Sequence, residues 1–403
     1  MTTRHAITAG FVPLLDSALL VAAKEKGFAA AQSIDLTLVR ERSWASIRDR
    51  LAVRQFDVAH ILGPMPIACN LGLSAPAPKM IVPMALGLGG NAVTVSAALW
   101  RAMAEAGATD DLDARRNGAA LRAVIDGRAG EPLRFGVVHP YSGHNYELRY
   151  WLAASGIDPD REIDILVLPP PDMGDALAEG LIDGYCAGEP WNTFGVLKRG
   201  AHLATVKAAI WKSSPEKVLG VDAGWGEANP EALAALLAAL HHAALWCGDP
   251  RNHAELASLL ALPAYVGREP DLLLPALTGV LPVGGGAVRT VGDFFVPQAK
   301  AATFPWKSHA LWFYTQMVRW RQVAHTEANR QVAAETYRPD VYRAALKALG
   351  IAMPSASAKV EGALTAETPV GSSGALTLGP DGFFDGGRFD PDDVDGYIAA
   401  QSR

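Results

Sequence analysis

Cysteine is scarce in this chain of 403 residues: Cys69, Cys186 and Cys247 stand far apart, odd in number and with no CxxC pair. That pattern argues against a disulfide framework and a thiolate zinc site, and reads as buried free thiols in a reducing compartment. Positive charge is not in excess either. The net charge is −6 and no basic patch stands out, which argues against direct nucleic-acid binding. No stretch reaches the about 20 apolar residues that span a bilayer. The apolar run Ala18–Ala23 is short, ends in Lys24-Glu25-Lys26, and reads as a helix face. Nothing after Met1 resembles a charged n-region, an h-region or a lipobox, so with Met1 as the start a cytoplasmic location is expected. Catalytic signatures are missing as well: no GxSxG, no HExxH, no Walker A lysine. Gly87-Leu88-Gly89-Gly90-Asn91 is glycine-rich but lacks the strand–GxGxxG–helix spacing of a dinucleotide site. The expectation is a protein that is not an enzyme and holds no cofactor or metal.

What is present is a folded, α/β-like composition, 50% hydrophobic and 19% charged, and long enough for two lobes. The first residues alternate strand and helix. Ala6–Phe11, Ile34–Arg40, Asp57–Leu62 and Met80–Leu88 read as strands, with helices over Ser17–Lys26, from Ser43 to about Arg54, and from Pro64 to about Leu71. This rhythm predicts a mainly parallel sheet covered on both faces. A second α/β unit follows, with strands at Arg134–His139, Ile163–Leu168 and Gly184–Ala187. The predicted organisation is residues 1–95 as the first part of lobe I, 96–210 as lobe II, 211–350 as a return to lobe I with a helical extension, and 351–403 as a surface tail of little regular structure.

Ligands of open α/β sheets bind at strand ends, and several clusters fall there. Ser43-Trp44-Ala45 opens a helix; His60-Ile61-Leu62-Gly63-Pro64 ends a strand; Gly90-Asn91-Ala92 follows another. Tyr141-Ser142-Gly143-His144-Asn145 and Gly188-Glu189-Pro190-Trp191-Asn192 each join a strand to a helix, and Pro215-Glu216-Lys217 precedes the helical part. These parts suit a small oxyanion. Helix N-termini offer free N–H groups, His144 and Asn91 add neutral donors, Lys217 adds a charge, and Trp44 can cover a planar ion. Each also has an ordinary structural reading: a satisfied histidine, a core tryptophan, a solvated lysine. His60 reads as a cap of the Gly63-Pro64 turn, and Glu189 as a cap of the next helix.

Taken in order, with Asp16-Ser17-Ala18, Leu148-Arg149-Tyr150-Trp151 and Phe384-Asp385-Gly386-Gly387-Arg388 added, these clusters resemble the nitrate- and bicarbonate-binding proteins of ABC transporters, the NrtA/CmpA family. The resemblance covers about residues 5–350. It implies a type 2 periplasmic-binding-protein fold, with two α/β lobes around a central cleft, and anion contacts at Trp44, Asn91, His144 and Lys217. Asn91 stands where the nitrate proteins carry a longer glutamine. An acid stands in the bicarbonate proteins where this chain has Lys217. With Glu216 expected to point elsewhere in an extended segment, the reading favours nitrate or nitrite.

Transporter members carry an export signal and a lipid-anchoring cysteine. Their lack here resembles the NasS-type cytoplasmic nitrate/nitrite sensor, which implies a NasT-type RNA-binding antiterminator partner with an ANTAR domain. Two alternatives stand beside the sensor. One is a transport component, either a nitrate-binding protein or the regulatory domain of a transporter ATPase. The other is a pyrimidine-precursor synthase of the same fold, whose cysteine-rich metal motif is not found.

Overall fold

The computed structural model describes residues 4–75, 78–128, 130–371 and 375–401. Met1–Thr3, where the reading of the N-terminus begins, lie outside the described residues. Among the described residues, ten of the first eleven strands build the two main sheets, and the short β5 lies on the crossing between them: β1 (His5–Phe11), β2 (Ile34–Arg40), β3 (Val58–Leu62), β4 (Met80–Ala85), β5 (Leu88–Gly89), β6 (Asn91–Val95), β7 (Leu133–Val137), β8 (Ile163–Val167), β9 (Gly184–Gly188), β10 (His202–Val206) and β11 (Lys217–Asp222). The first sheet runs β2-β1-β3-β11-β4 and the second β10-β6-β9-β7-β8. In each, three neighbouring strands are parallel, as the strand–helix alternation demands, and the strands added by the chain crossings are antiparallel. This is the type 2 periplasmic-binding-protein arrangement.

The chain crosses between the sheets twice. It leaves the first sheet through Leu88–Asn91 and returns between Val206 and Lys217. Gly89 and Gly90 have φ of 74° and 85°, and a Cβ on Gly89 would lie 2.2 Å from the Phe294 carbonyl oxygen, so glycine is required at that turn. The two crossings touch: the Gly89 amide donates to the Ser214 carbonyl (3.1 Å), and Leu88 bridges Pro215. Residues flanking both crossings are therefore brought to one place.

Three sequence expectations need correction. Asn91–Val95 pairs with β9 and β10, so the second lobe takes in strand residues before 96. Residues 211–350 return to lobe I but contribute strands as well as helices, with β11 an interior strand of the first sheet between β3 and β4. The segment after 350 is more than a loose tail. It carries a hairpin (Thr368–Val370 with Leu376–Leu378) and a helix (Val394–Gln401), and it buries Glu361, Asp381, Phe383 and Phe389. Phe383 stacks on Trp211 at 4.5 Å, and burial of such rings outweighs the segment's weak local propensity.

Lobe I is covered by Ala18–Glu25 packed on the 18-residue helix Pro230–Cys247. Among the described residues this is the one helix long and apolar enough to cross a membrane, and 61% of it is buried within the fold. Cys69, Cys186 and Cys247 are buried and unpaired.

Candidate functional site

Local signals place each side chain. Ser43 caps the helix Trp44–Ala52 by accepting from the Ser46 amide (3.2 Å), which puts Trp44 in its first turn facing inward. Ser142 caps Gly143–Ala154 by accepting from the Asn145 amide (3.0 Å), which sets His144 in that helix's first turn. Asn91 opens β6 and Lys217 opens β11, one beside each crossing.

The four expected residues meet in one buried cluster between the sheets. Trp44, Asn91, His144 and Lys217 are each at most 1% exposed. Lys217 Nζ lies 5.4 Å from the Trp44 ring centroid, and the His60 ring lies 5.3 Å from it. His60 does not act as a turn cap. Its Nε2 sits 2.8 Å from Asp16 Oδ1, while Asp16 Oδ2 is 2.8 Å from Lys217 Nζ. Glu189 behaves as read, its Oε2 accepting from the Thr193 amide at 3.0 Å.

The expectation for Glu216 fails. The residue lies just before β11, so strict strand alternation does not govern it. Its carboxylate turns into the cluster, with Oε1 2.6 Å from Lys217 Nζ and 3.5 Å from His144 Nδ1. Oε2 accepts from Asn91 Nδ2 (2.7 Å) and lies 2.5 Å from Lys207 Nζ. Lys207 also approaches Glu147 Oε1 at 2.7 Å.

Sequence reading assigned no binding role to Asp16, Glu147, Lys207 or Glu216. Asp16 and Glu216 stood within quoted clusters. Glu147 lies one helical turn from His144, a spacing that puts both on one face. No local signal singled out Lys207.

Charge in the cluster is balanced. Burial alone raises the Asp16 carboxyl, but Lys217 and His60 overcome it and draw it down to about 2. Burial works likewise on Glu216, yet His144, Lys207 and Lys217 hold it well below the ordinary carboxylate range. Burial lowers Lys217, and Asp16 with Glu216 more than compensate, leaving it raised. Glu147 is different: burial pushes it up to about 8 against the pull of Lys207, so it is protonated at neutral pH. Burial depresses His144 to about 3 and lowers His60 despite nearby carboxylates, so both rings are neutral. Two carboxylates thus face two lysines. Several buried polar atoms have no hydrogen-bond partner among the described residues: Trp44 Nε1, Asn91 Oδ1 and both His144 ring nitrogens. Each such atom costs about 1–3 kcal/mol, and together they suit a small polar ligand.

Two α/β lobes with a polar cluster at their crossings define the class: a two-lobed solute-binding protein. The chain belongs to the NMT1-like family, whose model matches residues 2–261. It is 33% identical over 403 residues to the nitrate/nitrite binding protein NrtA of Synechococcus elongatus, covering 97% of this chain and 85% of that one. It is 36% identical to the nitrate import ATP-binding protein NrtC of Synechocystis over 85% of this chain, and spans half of that relative's length. The crystal structure of the periplasmic nitrate-binding protein NrtA from Synechocystis superposes with a TM-score of 0.84 at 26% identity, over 99% of this chain and 98% of the other.

Proposed function

We propose that this chain binds nitrate or nitrite between its lobes, as the ligand-recognition component of an anion-import system. The observation that carries the reading is the meeting of Asn91 and His144 from one lobe with Trp44 and Lys217 from the other at one dry point. Nitrate and nitrite are planar and accept hydrogen bonds without donating. An ammonium, an amide, an imidazole and an indole N–H supply what such ions need, and exclusion of water strengthens each contact. Of the relatives matched along nearly the whole chain, those at 33% and 31% identity are named as nitrate/nitrite binding proteins and one at 27% as a bicarbonate-binding protein, so the more similar ones support nitrate or nitrite. Calorimetry of the purified protein with nitrate, nitrite, bicarbonate and sulfate tests it. Heat of binding with the first two is expected; silence with both rejects the reading.

A second reading keeps the binding step and changes its consequence: a cytoplasmic sensor that holds an RNA-binding antiterminator of the ANTAR type and frees it when the anion binds. The acidic net charge favours a division of labour in which the partner handles the RNA. Fractionation of the producing cells, with a pull-down in the presence and absence of nitrate, separates the two. Recovery of an antiterminator only without nitrate supports the sensor. Recovery of the chain outside the cytoplasm, or with a membrane permease, supports import.

A further inference from the structure

We propose that the Glu216 carboxylate is a resident competitor in the anion site, held by the same donors that nitrate or nitrite would use, so that the ligand binds by displacing it. The inference rests on the anion reading above and deepens it.

A carboxylate is a planar delocalised anion with acceptor oxygens only, as nitrite and nitrate are. The surroundings of Glu216 match what such an anion requires. Lys217 and Lys207 reach opposite oxygens at 2.6 and 2.5 Å, and the Asn91 amide donates at 2.7 Å. His144 Nδ1 stands 3.5 Å away, too long for a good hydrogen bond. Three of these four residues are the ones singled out for the ligand. A further feature is the floor beneath the carboxylate. A Cβ on Gly143 would fall 2.5 Å from Glu216 Oε2, so glycine there lets the group rest against the start of the capped helix Gly143–Ala154, where a negative charge is stabilised.

The backbone of Glu216 is pinned. The Gly63 amide donates to its carbonyl (2.9 Å), and the Tyr337 hydroxyl donates to the Gly63 carbonyl (3.2 Å). Exchange with a ligand is therefore a rotation of the side chain, and the strand need not move. Competition of this kind lowers apparent affinity by the fraction of molecules in which the donors are free. It also keeps the two buried lysines paired when no ligand is present, which offsets the cost of burying them.

The test is nitrate binding by Glu216→Gln, which keeps the shape and removes the competing charge. A nitrate affinity at least about tenfold tighter than in the unaltered protein is expected. Unchanged or weaker binding overturns the inference. So does loss of bicarbonate binding with nitrate unaffected, because Glu216 would then be an acceptor for a ligand hydroxyl. Should Glu216→Gln fold poorly, thermal melting of Glu216→Ala with and without nitrate decides. Nitrate is expected to raise its melting temperature more than that of the unaltered protein, since the ion replaces the deleted carboxylate. An equal or smaller rise overturns the inference. If neither the unaltered protein nor the variants bind nitrate or nitrite, the anion reading itself falls and this inference with it. If the unaltered protein binds nitrate and the variants do not gain, only the competitor role falls.

Discussion

Lys217 and His144, from different lobes and distant in sequence, converge on one atom: Glu216 Oε1 lies 2.6 Å from Lys217 Nζ and 3.5 Å from His144 Nδ1. A contact of this kind makes the site a property of the two lobes together. A change on either side should be felt as both altered binding and altered stability.

Lys217→Ala removes a charge-assisted donor and should weaken nitrate binding by about 1.5–3 kcal/mol in calorimetry. It also leaves Asp16 and Glu216 short of a cation in a buried place. A stability loss of about 3–5 kcal/mol is therefore expected in urea denaturation. An unchanged nitrate affinity would remove Lys217 from the site.

Nitrate or nitrite should be favoured over bicarbonate by at least about tenfold, or about 1.4 kcal/mol. The basis is that Lys217, Asn91 and His144 supply donors, whereas bicarbonate carries a hydroxyl that must also donate. The inward carboxylate of Glu216 works against this preference, so the margin is a sensitive measure of where that side chain goes. Lys217→Glu should abolish nitrate binding by replacing attraction with repulsion. Competition titrations check both statements; equal or tighter bicarbonate binding refutes the first.

Nitrate affinity should decline as pH rises through about 8. Glu147 is held up to about 8 by burial, and its ionisation adds negative charge beside the site. Lys207 Nζ lies 2.7 Å from Glu147 Oε1, and the other groups around it do not titrate in that window. His144 is depressed to about 3, Lys217 is raised, Glu216 is ionised, and burial holds the Cys186 thiol well above its usual value. Glu189, pushed up to about 7, titrates separately near the start of the next helix. Because the folded-state value of Glu147 is raised, stability is also expected to fall between the ordinary carboxylate range and about pH 8, then level off. Glu147→Gln should flatten the affinity profile and remove the stability loss between about pH 7 and 8, while the loss due to Glu189, complete near pH 7, remains; an affinity decline that survives the substitution assigns that effect elsewhere.

The C-terminal segment should be required for stability. Lys359, 17% exposed, pairs with the buried Glu361 and with the buried Asp381 (2.6 Å), and the buried Ser308 donates to Glu361 at 2.6 Å. Glu361→Ala leaves the lysine half-paired and should cost about 3–5 kcal/mol, with faster proteolysis after residue 350. Resistance equal to that of the unaltered protein would show the segment to be merely appended.

The alternation of apolar strands and capped helices was legible in the sequence because period and capping are local properties, carried by residues such as Ser43, Ser142 and the strand Ile34–Arg40. Trp44, Asn91, His144 and Lys217 could be singled out because each lies at an element boundary, where open α/β sheets hold ligands. What local pattern could not supply was the inner layer. Lys207 sits in a short helix with no motif around it. The direction of Glu216 depends on lying one residue before β11, where the chain returns between lobes. The burial of the C-terminal segment likewise depends on Trp211 and Trp312, far away along the chain. Sequence by itself thus determined the elements, the fold class and four of the residues that meet in the buried cluster. Tertiary structure alone decided which charges face one another, because buried ion pairs are set by the distance between side chains across two sheets, and strand or helix periodicity carries no record of it.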